Sequence, residues 1–158
     1  MSSSTYSGEI KRPVSYILLL HCRETVKLSV GGLGTQTFVE GVYAYIGSAN
    51  IKDPVKRILR HFSREKRIRW HVDYLTLKCR PLKAAVFFGF SEEELYDTII
   101  KKLAKHFTPY IAGFGSSDKP HHYTHLFILR TSPDDALNRV VATVKQRKAI
   151  LNWLIIKG

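Results

Sequence analysis

The chain has 158 residues, 44% of them apolar, and its 25 lysines and arginines stand against 13 acids, a formal charge of +12 with the seven histidines neutral. Length and apolar share fit one globular domain that buries its own core and exclude a disordered chain; the longest apolar stretches, residues 16–20 and 84–88, fall far short of the roughly 20 residues a membrane-spanning helix needs. The positive excess points to a polyanion as partner, with nucleic acid ahead of an anionic membrane surface.

Residues 1–12 are polar and Ser-rich and read as a flexible tail, with no apolar stretch of the kind a secretory signal carries. Residues 14–22 are a continuous apolar run rich in branched side chains, which predicts a buried strand. Two short strands are predicted over 25–30 and 35–40, around the punctuating Gly31, Gly32 and Gly34. The next strand, 41–47, reads GVYAYIG, and period two puts Tyr43, Tyr45 and Gly47 on one face. Asp53 and Pro54 read as an N-cap followed by proline at the first helical position. They open a helix over 54–63 with Val55, Ile58, Leu59 and Phe62 as its apolar stripe, and with Arg57 and His61, four apart, on a common face.

A second short helix is predicted over 70–77 and a central strand over 81–90. Ser91 and Glu94 form a capping-box pattern for a helix reaching about residue 107, with Leu95, Ile99, Ile100, Leu103 and Phe107 inward. A loop over 108–122, a strand over 123–130, a helix from Ser132-Pro133 to about 149 and an apolar strand over 150–156 complete the chain. No repeat or linker divides residues 13–158, which read as a single domain of α/β, or layered α+β, class. Two cysteines, Cys22 and Cys79, make no disulfide framework, so the expectation is a reduced, cytoplasmic setting.

The charge is concentrated. Seven cations (Lys56, Arg57, Arg60, Arg64, Lys66, Arg67 and Arg69) stand against the single acid Glu65, a local charge of +6. Such a run is usually a solvated helix face; in a chain this basic it reads as a phosphate-binding surface whose grip weakens with salt. His121, His122 and His125 have no cysteine nearby, and no zinc is expected. The loop GFGSSD, residues 113–118, has glycines that allow positive φ and polar side chains that close tight turns, with Asp118 as a secondary contact.

A strand ending in Tyr45-Ile46-Gly47-Ser48-Ala49, followed by a helix carrying Arg57 and His61, resembles the GIY-YIG nuclease superfamily. RWHVDYL at 69–75, GFGSSD at 113–118 and HLF at 125–127 are similar to its Uri-type branch. The resemblance implies a central, largely antiparallel sheet flanked by helices, and a metal-dependent endonuclease that hydrolyses DNA phosphodiesters, with DNA repair as its setting and RNA as the alternative nucleic acid; the concentrated charge, leading from Arg57, sets aside a membrane partner. Tyr45, Ile46 and Gly47 match the YIG element. Val14-Ser15-Tyr16 matches the GIY element, with Val14 where the family has glycine. Gly41-Val42-Tyr43 spells a nearer match but shares a strand with Tyr45, so it cannot be the partner strand.

The same resemblance assigns roles. Tyr16 is the general base, and Tyr45 orients water. Arg57 is a fixed cation beside developing charge, and His61 holds the phosphate or relays a proton. Glu92, opening an E-x-x-L pattern with Leu95, binds Mg²⁺ or Mn²⁺, with Glu93 and Glu94 as alternatives. His71 and Asp73 either support the site or contact DNA, or form a buried polar pair that fixes helix packing. The rival reading is a non-catalytic nucleic-acid-binding module with a degenerate site, to which Val14 and the triple glutamate point.

Overall fold

The computed structural model describes residues 12–148 and 152–158; residues 1–11 of the predicted 1–12 tail, and residues 149–151, where the last predicted helix ends and the predicted 150–156 strand begins, lie outside them. In chain order the elements are β1 (Val14–Cys22), β2 (Val26–Ser29), β3 (Thr35–Phe38), β4 (Gly41–Ser48), α1 (Pro54–Phe62), α2 (His71–Thr76), β5 (Arg80–Phe88), α3 (Glu92–Lys102), β6 (Phe107–Pro109), β7 (Leu126–Leu129), α4 (Pro133–Arg147) and β8 (Asn152–Lys157). Six strands form one sheet in the order β6-β7-β4-β1-β5-β8, with every ladder antiparallel. β2 and β3 pair separately as a hairpin. The layered α+β expectation is met.

The apolar run of β1 follows from its place at the centre. Tyr16, Leu18 and Leu20 pack with Tyr43, Tyr45 and Val86 beneath α1 and α2, through Ile58, Val72 and Leu75. Ile17 and Leu19 pack with Ala44, Ile46 and Phe87 beneath α3 and α4, through Leu95, Ile99, Val140 and Val144. A strand covered on both faces has no solvent side to alternate with, and each fully buried Leu or Ile contributes about 1.5–3 kcal/mol.

Four details depart from the sequence reading. Leu59 is 51% exposed, because the inward face of the short α1 is centred on Ile58 and the fully buried His61. α3 ends at Lys102, and Phe107 is buried as the first residue of β6 instead; Pro109 cannot sit inside a helix and pushes Thr108 toward extended backbone. β7 begins only at Leu126, because Tyr123 and His125 are bonded back to the preceding loop through Gly113 and Phe114. Finally, Cys22 and Cys79 form a disulfide, which corrects the reduced expectation. The β1–β5 register sets His21 opposite Arg80, so cysteines 57 positions apart in sequence meet with their Cα atoms 4.5 Å apart. Among the described residues no helix is long and apolar enough to cross a membrane.

The register also gathers three strand ends. Ser15 faces Ser48 and Val14 faces Phe88, so the start of β1 and the ends of β4 and β5 lie together, with α1 and α3 departing from the same end.

Candidate active site

Tyr16 on β1 stands opposite Gly47 on β4. A Cβ at position 47 would come within 2.5 Å of the Tyr16 hydroxyl oxygen and 2.6 Å of its Cζ, so the phenol lies across the strand where only glycine leaves room. The hydroxyl meets Nε2 of His61, delivered by the inward face of α1, at 2.7 Å. His61 is fully buried, and its Nδ1 has no hydrogen-bond partner. Burial, with Lys66 adding to it, pushes His61 down to about 3, so its imidazole is neutral at physiological pH. Burial and the neighbouring Tyr45 raise Tyr16 well above the ordinary phenol value, while Arg57 pulls the other way. Tyr45 is raised as well, first by burial and then by Glu92.

Tyr16, Tyr45, Gly47, Arg57, Trp70 and Glu92 line a cleft of about 240 Å³. Arg57 is fixed there: its Nη1 donates to the Ser48 carbonyl at 3.2 Å, and the guanidinium lies 5.1 Å from the Trp70 ring centroid. Glu92, the first residue of α3, is pushed up to about 7 by burial; Lys119 opposes that shift and Asp118 adds to it. The other two glutamates point elsewhere. Glu94 closes the capping box with Ser91 and reaches Lys148, and Glu93 is exposed.

The 113–118 loop also lines the cleft, through Gly115 and Asp118. Gly113 and Gly115 have φ of 79° and 71°, a region that favours glycine. A Cβ on Gly115 would also approach Tyr45 Cε1 to 2.7 Å. The Gly115 N–H donates to Nδ1 of His71 at 2.9 Å, so His71 holds this loop against Tyr45. Asp73 is a buried hub. It accepts from both terminal nitrogens of Arg60, at 2.8 and 2.9 Å, and from the backbone N–H groups of Arg69 and Trp70, at 2.8 and 3.0 Å. Burial alone would raise its carboxyl; those four donors outweigh it and leave the pKa below the ordinary value.

Residues 15–147 match the family described as Domain of unknown function DUF123. The chain belongs to that family. The matched span holds every residue of the cleft, whereas no curated protein and no solved structure matches the chain.

The basic segment of this DUF123 domain divides in two. Lys56, Arg64, Arg67 and Arg69 are exposed. Arg60 is bound to Asp73, and Lys66 Nζ donates to the His61 carbonyl at 3.0 Å and to Thr76 Oγ1 at 2.8 Å, with burial pushing Lys66 down to about 8. Both spend part of their donor capacity inside the fold, where the sequence alone reads them as phosphate contacts. Arg57 and Trp70 join the cleft to a groove of about 610 Å³ that Lys56, Arg60, Lys66, Arg67 and Arg69 border; Arg64 lies outside it, beside Lys78 and Arg80. Asp118, anticipated as a secondary contact, lines the cleft beside Lys119. Lys119 was legible only as part of a Gly/Ser-rich loop, since its approach to Glu92, 3.8 Å, depends on tertiary folding.

Proposed function

We propose that this protein is a GIY-YIG-type endonuclease, a metal-dependent hydrolase of DNA phosphodiester bonds with DNA repair as its setting. One observation carries the reading: Tyr16, Tyr45, Arg57 and Glu92 border a single cleft, with His61 bonded to Tyr16 behind it. Arg57, held by Ser48 and Trp70, presents a fixed cation where phosphorane charge develops. Tyr16 is the general base of this reading: Arg57 draws its phenol toward ionisation against the effect of burial, the phenolate takes a proton from the attacking water, and the neutral His61 holds the hydroxyl in place. Tyr45 orients the incoming water.

Among the described residues no group of three or more His, Cys, Asp or Glu side chains is poised to enclose a metal. The cleft instead offers Glu92, a half-buried carboxylate raised by desolvation. A single carboxylate fits Mg²⁺ or Mn²⁺ that keeps several waters. Held by Glu92, the ion would supply Lewis acidity to the phosphate and the leaving oxygen. The exposed Lys56, Arg67 and Arg69 border the groove that Arg57 joins, and with the exposed Arg64 beyond it they suit a nucleic-acid backbone, in a salt-dependent manner. A cytoplasmic location belongs to the same reading; it requires the Cys22–Cys79 bond to persist there, as intracellular disulfides do in hyperthermophiles.

The burial that keeps Tyr16 protonated favours the rival, a binding module without catalysis. Incubating the protein with plasmid or branched DNA, in Mg²⁺, Mn²⁺ or EDTA, separates the two. The expected result is metal-dependent cleavage that falls on the order of 10²–10³-fold in Arg57→Ala and Glu92→Gln, with each variant folded. Salt-sensitive binding with no cleavage supports the module, and cleavage indifferent to both substitutions overturns the mechanism.

A further inference from the structure

We propose that His125 is a second, nitrogen ligand to the divalent ion that Glu92 holds. The proposal rests on the endonuclease reading and deepens its metal site.

His125 lies at the start of the HLF segment and is 1% exposed. Its Nδ1 has no hydrogen-bond partner and faces Glu92 Oε2 at 3.7 Å. That is too long for a hydrogen bond, yet it is a gap that one cation with ligand bonds of about 2.1 Å can span. An unpaired buried nitrogen is costly, and a cation beside the carboxylate would satisfy both groups at once.

The other ring nitrogen is arranged as a ligating histidine requires. Nε2 of His125 lies 2.8 Å from Nδ1 of His122. When the His125 Nε2–H donates across that contact, the lone pair is left on Nδ1, toward Glu92. Metal-ligating histidines usually give their second N–H to an acceptor that fixes tautomer and ring orientation. His122 is itself fixed by stacking on Tyr96, ring centroids 3.8 Å apart and planes 7° from parallel. The backbone of His125 is pinned on both sides: its N–H donates to the Phe114 carbonyl at 2.9 Å, and its carbonyl accepts from Ile46 at 3.0 Å.

A mixed carboxylate–imidazole pair suits Mn²⁺ better than Mg²⁺, which takes oxygen donors. The test is electron spin echo envelope modulation on the Mn²⁺-loaded protein, with Mn²⁺ affinity measured by calorimetry. The expected spectrum shows ¹⁴N modulation from a directly bound imidazole. It disappears in His125→Ala and His125→Gln, and Mn²⁺ affinity falls about tenfold or more. The wild-type spectrum decides the matter even if neither variant folds. Mn²⁺ binding that depends on Glu92 but shows no ¹⁴N modulation overturns the His125 assignment and leaves the parent reading standing. Absence of Mn²⁺ binding to the wild-type protein overturns both.

Discussion

Gly47 is the position where one hydrogen atom decides whether Tyr16 can occupy its place. The phenol crosses β4 at the glycine, and a methyl group there would overlap its hydroxyl. Gly47→Ala is therefore expected to cost about 1–3 kcal/mol through overpacking and, on the proposed nuclease reading, to lower cleavage on the order of 10²-fold or more by pulling Tyr16 from His61. Urea denaturation and a cleavage assay read the two effects, and undiminished cleavage would show that the phenol is not where chemistry needs it. The Tyr-x-Gly spacing was legible, since period two alone places Tyr45 and Gly47 on one face. The bond between Tyr16 and His61 was not, because its partners are 45 positions apart. The helical spacing put Arg57 and His61 on a common face of α1; it could not show that one would border the cleft while the other was buried behind it.

At the scale of elements, Asp73 ties α2 to α1 and to the backbone that enters α2. His71 and Asp73 do not pair with each other: Asp73 bonds Arg60 of α1 and the chain entering α2, and His71 bonds the cleft loop at Gly115. Asp73→Asn keeps the shape but removes the charge and turns an N–H group toward existing donors. A loss of about 3 kcal/mol is expected near pH 6. Asp73 has a folded pKa below its unfolded value, so the charge-dependent part of its contribution is complete above the unfolded pKa and is lost as pH falls through the folded one. The stability gap between wild type and Asp73→Asn should therefore narrow from about pH 4 downward, as urea midpoints measured across pH 2–6 would show; a gap constant across that range would mean that the carboxylate charge contributes nothing. Helix starts were readable from local chemistry, as at Asp53-Pro54, Ser91 with Glu94, and Ser132-Pro133. The end of α3 and the start of β7 were not, because the chain turns back on Leu103 before Phe107 enters the sheet, and a loop bonded backward delays β7 to Leu126.

For the whole molecule, the sheet's membership was readable from the apolar runs, whereas its order required contacts between distant segments. The disulfide belongs to that second class. Closing a loop across 57 positions removes denatured-state entropy worth about 4 kcal/mol in the chain-entropy account. The loop encloses β2, β3, β4, α1 and α2, and therefore Tyr45, Arg57 and His61. Yet Cys22 ends β1, while Tyr16 lies near its beginning, among the gathered strand ends that form the cleft. The bond should thus act on global stability without reshaping the site. The double substitution Cys22→Ala with Cys79→Ala is expected to lower unfolding free energy by about 2–4 kcal/mol while leaving cleavage by the folded fraction within about twofold at 25 °C, since a distant change with no shared partners couples weakly. Urea denaturation of wild-type protein with and without reductant, beside the double variant, measures the first effect. A variant that stays fully folded but loses cleavage would show instead that the far end of β1 helps hold Tyr16 in place.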